Sequence, residues 1–176
     1  MQNIKRVDRK LVAHGSIFDY YKDEMVTVDG NTAYWDHIEH KGAAAMLALC
    51  DDGKIVLVRQ YRNSLDKEIL EIPAGGIEPG EDTGVAAARE LTEETGYVAG
   101  KVEPLMTINT TVAFCNEKIF IYKATELTQG EKHLDRDEYT DVECYTLEEI
   151  VKMIGDGIIT DSKTISAIMY YACTNA

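Results

Sequence analysis

The stretch Gly75 to Tyr97 reads GGIEPGEDTGVAAARELTEETGY, and the reading of the whole chain turns on it. Pro73-Ala74-Gly75-Gly76 through Pro79-Gly80 is rich in chain breakers and is predicted to be a loop. From about Thr83 the pattern turns helical, and Gly96 directly after Thr95 is a C-terminal stop signal. At about 100° per residue, Gly84, Ala87, Ala88, Leu91 and Thr95 form one small, mostly apolar stripe suited to packing on a sheet. Glu90, Glu93 and Glu94 form a second stripe, with Arg89 beside it. Three neighbouring carboxylates without a matching Lys repel one another. Two readings follow: a solvated acidic helix end, or a seat for a hard divalent cation, which takes carboxylate oxygens.

The spacing across the loop and helix bears on that choice. Gly75, five residues, Glu81, seven residues, then Arg89-Glu90-Leu91-Thr92-Glu93-Glu94-Thr95-Gly96-Tyr97 matches GX5EX7REUXEEXGU at every fixed position. The stretch resembles a complete Nudix box in its loop-then-helix context, and the chain is identified as a member of the Nudix hydrolase superfamily. The resemblance implies that Glu90, Glu94 and Glu93, with the main-chain carbonyl of Ala74, hold Mg²⁺, with Mn²⁺ as a substitute. Gly75, Glu81 and Gly96 are the structural positions of the box. Arg89 orients a glutamate from behind.

Composition fits one soluble domain with a small appendage: 176 residues, 45% hydrophobic and 28% charged. No apolar run is long enough to span a membrane, and MQNIKRVDRK lacks the apolar segment of a secretory signal. Cys50, Cys115, Cys144 and Cys173 are scattered, without CxxC spacing, and read as thiols of a reducing cytoplasm. A net charge of −13 argues against nucleic acid and anionic lipid as partners. A small phosphate ligand remains compatible, provided metal ions screen it from the protein's carboxylates.

Ahead of the box, Ser16 to Val28 and Thr32 to Ile38 alternate with period two around Asp29-Gly30-Asn31, the chemistry of a hairpin turn. An early β-hairpin resembles the N-terminal sheet of the ADP-ribose pyrophosphatase group, which implies a contribution to a homodimer and to the base pocket. Trp35, near Tyr34, either stacks on a nucleobase or packs the hairpin onto the core. Ala43 to Leu49 and Lys54 to Arg59 read as strands joined by Asp51-Asp52-Gly53. VRQYR and EIPAGG resemble runs in ADP-sugar pyrophosphatases. Arg59 and Arg62 either grip phosphate or ribose with a planar fork of donors, or pair with Glu68 or Glu71.

After the box, Val102 to Thr107, Ile119 to Thr125 and Val142 to Tyr145 read as strands. Many ADP-ribose enzymes carry Pro-Gly where this chain has Val112-Ala113. The acidic stretch QGEKHLDRDEYTD, residues 129–141, contains Asp135-Arg136-Asp137-Glu138. In the resembling family this loop supplies a late Glu. Glu138 matches it, and Arg136 stands where another Glu is often found; it either grips phosphate or belongs to a bland surface loop. Leu147 to Ile154 is predicted as a helix with a Thr146–Glu149 capping box, and Asp161 or Ser162 starts a last helix. Both read as packing elements.

The expected fold is therefore α/β in the Nudix manner: a mixed sheet sandwiched between helices, residues 41–176, with an antiparallel β appendage, residues 1–40. The expected activity is metal-dependent hydrolysis of a nucleotide-sugar diphosphate, foremost ADP-ribose to AMP and ribose 5-phosphate, in the cytoplasm. Glu93 and Glu138 are the candidate bases, and Arg59, Arg62, Trp35 and Arg136 the candidate substrate contacts. The alternatives are another nucleoside diphosphate derivative, a nucleoside triphosphate, or a sensor that binds without turnover.

Overall fold

The computed structural model of the protein describes residues 4–134 and 139–175. The chain divides into two compact units, one running through Gly42 and including Asn109–Lys118, the other Ala43–Ile108 with Ile119 onward.

The first unit is a three-stranded antiparallel sheet, β1 (Lys5–His14), β2 (Phe18–Val26) and β3 (Thr32–His40), in that spatial order. The hairpin between β2 and β3 turns as the Asp-Gly-Asn signal requires, with Gly30 at φ 82°. Its strands bury one apolar and one charged side chain among the described residues, Met25 and Asp23. Asp23 on β2 is 7% exposed and takes both arms of the Arg9 guanidinium, at 2.6 and 2.7 Å. Arg9 also lies over the Tyr21 ring, 5.3 Å from its centroid. The segment 109–118 joins this unit through Ile38 N–H to the Phe114 carbonyl (2.7 Å) and His40 N–H to Asn116 Oδ1 (2.7 Å).

Among the described residues, the second unit has two sheets and three helices. One sheet runs β7 (Ala74–Gly76), β4 (Ala43–Ala48), β9 (Lys118–Gln129), β8 (Tyr97–Asn109); the other runs β10 (Thr140–Tyr145), β5 (Ile55–Arg62), β6 (Lys67–Glu71). The first is mixed, with β4 parallel to β9 and antiparallel to β7. Side chains alternate across a strand, so each apolar strand feeds two cores. Ala45, Leu47, Ile55, Leu57, Ile119 and Ile121 pack with Ile150 of α2 (Leu147–Gly155) and Ile168 of α3 (Ser162–Thr174). Ala44, Met46, Ala48, Val56 and Ala124 pack with Ala86, Ala87 and Leu91 of α1 (Thr83–Thr95). Burying each large aliphatic side chain contributes roughly 1.5–3 kcal/mol. The fold is the expected α/β sandwich with an antiparallel N-terminal sheet.

Three local expectations change. Asp51-Asp52-Gly53 does make a tight turn, but only the Leu49–Ile55 bridge pairs its flanks; β4 and β5 then diverge into different sheets. Ala74–Gly76, expected as loop, is a short strand. The buried face of α1 is Ala86, Ala87, Glu90, Leu91, Glu94 and Thr95, so two glutamates lie on the packed side.

Candidate active site

The site begins with how β7 is held. Ala45, Ala44 and Ala43 of β4 face Ala74, Gly75 and Gly76 in antiparallel register, and Met46 N–H donates to the Pro73 carbonyl at 2.9 Å. The methyl-sized side chains of Ala86 and Ala87 let α1 lie close on this sheet. The helix is set at its start by Asp82, whose Oδ1 accepts from Gly84 N–H and Val85 N–H at 2.9 and 3.2 Å. It stops at Gly96, which adopts a left-handed φ of 78°.

That placement brings the Glu90 carboxylate against the backbone of Gly75. A Cβ at position 75 would lie closer than 3.0 Å to all three carboxyl atoms of Glu90, a separation real Cβ atoms essentially never show. Glu94, 1% exposed, accepts from Ala74 N–H through Oε2 at 3.0 Å. Two buried carboxylates thus reach two consecutive residues of one strand. Glu93 lies nearer the surface, its side chain 37% exposed, and shares the Arg89 Nη1 with Glu90.

Arg89, read from the sequence as lying beside these glutamates, is bonded to two of them. Arg89 donates through Nε and Nη2 to both oxygens of Glu81 (2.9 and 3.0 Å), through Nη1 to Glu90 (2.7 Å) and Glu93 (2.8 Å), and through Nη2 to the Gly76 carbonyl (2.9 Å). One guanidinium therefore ties the loop to the helix and offsets the repulsion among the carboxylates. The Glu81 carboxyl is pulled down to about 2, first by Arg89 and then by the Glu78 N–H. Arg89 is in turn held charged, Glu81 being the largest cause.

The late acidic loop is tied to the far end of α1. His133 N–H donates to the Glu93 carbonyl at 3.1 Å, Gly130 N–H to the Gly96 carbonyl at 2.7 Å, and Thr140 Oγ1 to the Glu94 carbonyl at 2.9 Å. Carbonyls that a helix end leaves without helical partners are thereby satisfied by this loop. Arg136 and Glu138 lie outside the described residues.

The remaining candidates sit as follows. Arg59 grips Glu143 of β10 at 2.6 and 3.3 Å, not Glu68 or Glu71. Arg62 forms a two-armed pair with Glu71, at 2.6 and 2.8 Å. Trp35 is a half-exposed residue of β3 in the first unit. The sequence reading missed Lys163 on α3, which pairs with Glu71, and Thr140; both contacts bridge residues far apart in sequence, so no local signal marks them.

Among the described residues, no group of three or more His, Cys, Asp or Glu side chains converges to hold a metal ion. What does converge is a pair of hard-oxygen donors, Glu90 and Glu94, astride Ala74 and Gly75, with Arg89 on the Glu90 oxygen. Carboxylates of this kind suit a hard divalent cation. Glycine at position 75 is what leaves the Glu90 carboxylate its place against this backbone.

Comparison with known proteins agrees with this geometry. Residues 39–167 match the NUDIX domain. The chain is 36% identical over 168 residues to an ADP-ribose pyrophosphatase of Bacillus subtilis (strain 168), covering 94% of this chain and 91% of that protein. It is 39% identical over 168 residues to a methanol dehydrogenase activator of Bacillus methanolicus, with the same coverage of 94% and 91%. An ADP-ribose pyrophosphatase of Mycobacterium tuberculosis (strain ATCC 25618 / H37Rv) is 31% identical, over 88% of this chain and 76% of the relative. The crystal structure of an ADP compounds hydrolase superposes with a TM-score of 0.87 over 98% of this chain and 94% of its own, at 21% identity, a likeness of fold. Nudix hydrolases generally use divalent metal ions. The chain belongs to the Nudix hydrolase family and is related to its ADP-ribose pyrophosphatases.

Proposed function

We propose that the protein hydrolyses the diphosphate of a nucleotide sugar, ADP-ribose foremost, to AMP and ribose 5-phosphate, with Mg²⁺ as the working ion and Mn²⁺ as a substitute. The observation that carries this reading is the pair of buried carboxylates, Glu90 and Glu94, held on either side of Ala74–Gly75. Two relatives named ADP-ribose pyrophosphatase support the substrate.

Glu90 and Glu94, with the Ala74 carbonyl and Glu93, are the ligands. Bound there, the ion supplies positive charge that screens the diphosphate and acidifies water. Arg89 orients Glu90 and Glu93, and Glu81 keeps Arg89 in place. Water attacks one phosphorus, the bridging P–O bond breaks, and a carboxylate takes the water's proton. Glu93 is one candidate base, being accessible. Glu138 is the other, on the match of its acidic run to the family's late Glu. Arg59, Arg62 and Arg136 are candidate phosphate or ribose contacts, and Trp35 a candidate base contact.

Residues 1–40 are proposed to serve a two-fold dimer, the commonest oligomer symmetry. Exposed Val7, Leu11, Val12, Ile17 and Phe18 on this sheet support that assignment. Val112-Ala113, in place of Pro-Gly, favours a second reading in which another nucleoside diphosphate derivative is the preferred substrate. A panel of ADP-ribose, other nucleotide sugars and nucleoside triphosphates, scored by kcat/KM with Mg²⁺, decides between them. ADP-ribose is expected to rank first; a triphosphate above every nucleotide sugar overturns the proposal.

A further inference from the structure

Lys163 occupies a place that elementary electrostatics disfavours. It is the second residue of α3, where the helix dipole is positive, and it is 7% exposed. A buried cation at a helix N-terminus loses hydration and faces like partial charge, so such a residue requires a strong counter-charge. Glu71 provides it. The Lys163 ammonium pairs with Glu71 Oε2, and with Oδ2 of the N-cap Asp161 at 3.1 Å. Glu71 is itself 1% exposed and is shared with Arg62. Burial pushes its carboxyl up, but Arg62 and Lys163 outweigh that and hold it below the usual range.

The next residue of α3 grips the residue that follows the strand. Thr164, fully buried, accepts from Ile72 N–H at 2.9 Å and donates to Asp161 Oδ2 at 2.6 Å. Two adjacent residues, Glu71 and Ile72, are therefore fixed by one helix turn. Pro73 follows, with its own φ locked and Ile72 confined to extended backbone, so the link to Ala74 is stiff. Ala74 and Gly75 are the residues on which Glu94 and Glu90 close, and the gap at Gly75 leaves no room for a methyl group. Arg62, held by Glu71, also feels the negative charge of Glu94.

We propose that Lys163 and Thr164 are positioning residues: they fix Glu71 and Ile72, and through them set Arg62 and the Ala74–Gly75 backbone against Glu94 and Glu90. Neither touches the reacting atoms. This rests on the reading of Glu90 and Glu94 as the working carboxylates, and α3 thereby acquires a role beyond packing.

The test separates positioning from simple stapling of α3 to the sheet. Lys163→Met keeps the volume and removes the charge, and Lys163→Arg restores charge. Amide hydrogen exchange is followed at Ala74, whose N–H donates to Glu94, and at Leu49, whose N–H donates to the Ala124 carbonyl. In Lys163→Met, Ala74 is expected to exchange at least tenfold faster while Leu49 changes less than threefold, and Lys163→Arg recovers most of the protection. In parallel, kcat for ADP-ribose falls about tenfold, with KM changed less. Where Lys163→Met does not fold, Thr164→Val is expected to give the same local pattern. Equal acceleration at both amides, or none at Ala74, overturns the proposal. Absence of ADP-ribose turnover in wild type defeats the functional reading alone, since the exchange comparison still decides the positioning claim.

Discussion

The two units solve the problem of a buried carboxylate differently. In the N-terminal sheet, Met25 is the one hydrophobic side chain buried among the described residues, and Asp23 is neutralised directly by Arg9, with Arg6 at 3.6 Å. In the second unit, Glu90 and Glu94 emerge from a helix locked between alanines and Leu91 on an apolar sheet. Ion pairs hold the first arrangement together. Packing places the second against the Ala74–Gly75 backbone, and Arg89 offsets the repulsion among its carboxylates. The carboxylates of the second unit are thus placed by packing and braced by one guanidinium shared with the loop.

Substitutions sharpen the contrast. Leu91→Ala leaves a cavity beneath α1 and is expected to cost about 2–5 kcal/mol in chemical denaturation. Val28→Ala, exposed at the turn after β2, is expected to stay within about 0.5 kcal/mol. Equal losses at the two positions would remove the distinction between the units.

Gly75→Ala tests the close approach itself. The added methyl has to displace the Glu90 carboxylate or the β7 backbone, so kcat is expected to fall about a hundredfold, equivalent to about 2.7 kcal/mol. Gly30→Ala, in the N-terminal turn, has open space but a left-handed backbone, and its expected effect is about 1 kcal/mol of stability without loss of kcat. Wild-type kcat in Gly75→Ala would contradict the cradle.

The smallest effect lies in the acid limb. Arg89, and then the Glu78 N–H, lowers the Glu81 carboxyl from 4.5 to about 2. A carboxyl depressed on folding contributes stability that is complete above its unfolded value and lost as pH falls through its folded one. The difference in Tm between wild type and Glu81→Gln should therefore be constant above pH about 5 and close as pH falls towards about 2. Asp23, lowered by its bonds to Arg9, should behave with the same sign when replaced by Asn. A difference that widens towards acid would reverse the assignment.

What the sequence made legible was local. The box spacing, the start near Thr83 and the Gly96 stop of α1, the β2–β3 turn and the Thr146 capping box each depend on neighbours a few residues apart. What it hid was pairing across distance. Ala74–Gly76 reads as breakers, yet backbone pairing with Ala43–Ala45 makes it a strand. Asp51-Asp52-Gly53 carries hairpin chemistry, yet the flanking strands go to different sheets because β5 pairs with β10 and β6. Arg59 lies 84 residues from Glu143, and Lys163 lies 92 from Glu71, so neither partner was visible. The placement of Glu93 away from Glu94 follows from helix geometry, but which face is buried depends on the sheet beneath.

The most direct measurement of the central claim is the initial rate of AMP release from ADP-ribose, titrated with Mg²⁺, for wild type and Glu94→Gln. Wild type is expected to turn over only with the ion present, and EDTA to abolish the rate. Glu94→Gln, folded by circular dichroism, is expected to lose about two to three orders of magnitude in kcat at saturating Mg²⁺. Wild-type turnover by Glu94→Gln in excess EDTA would contradict the account.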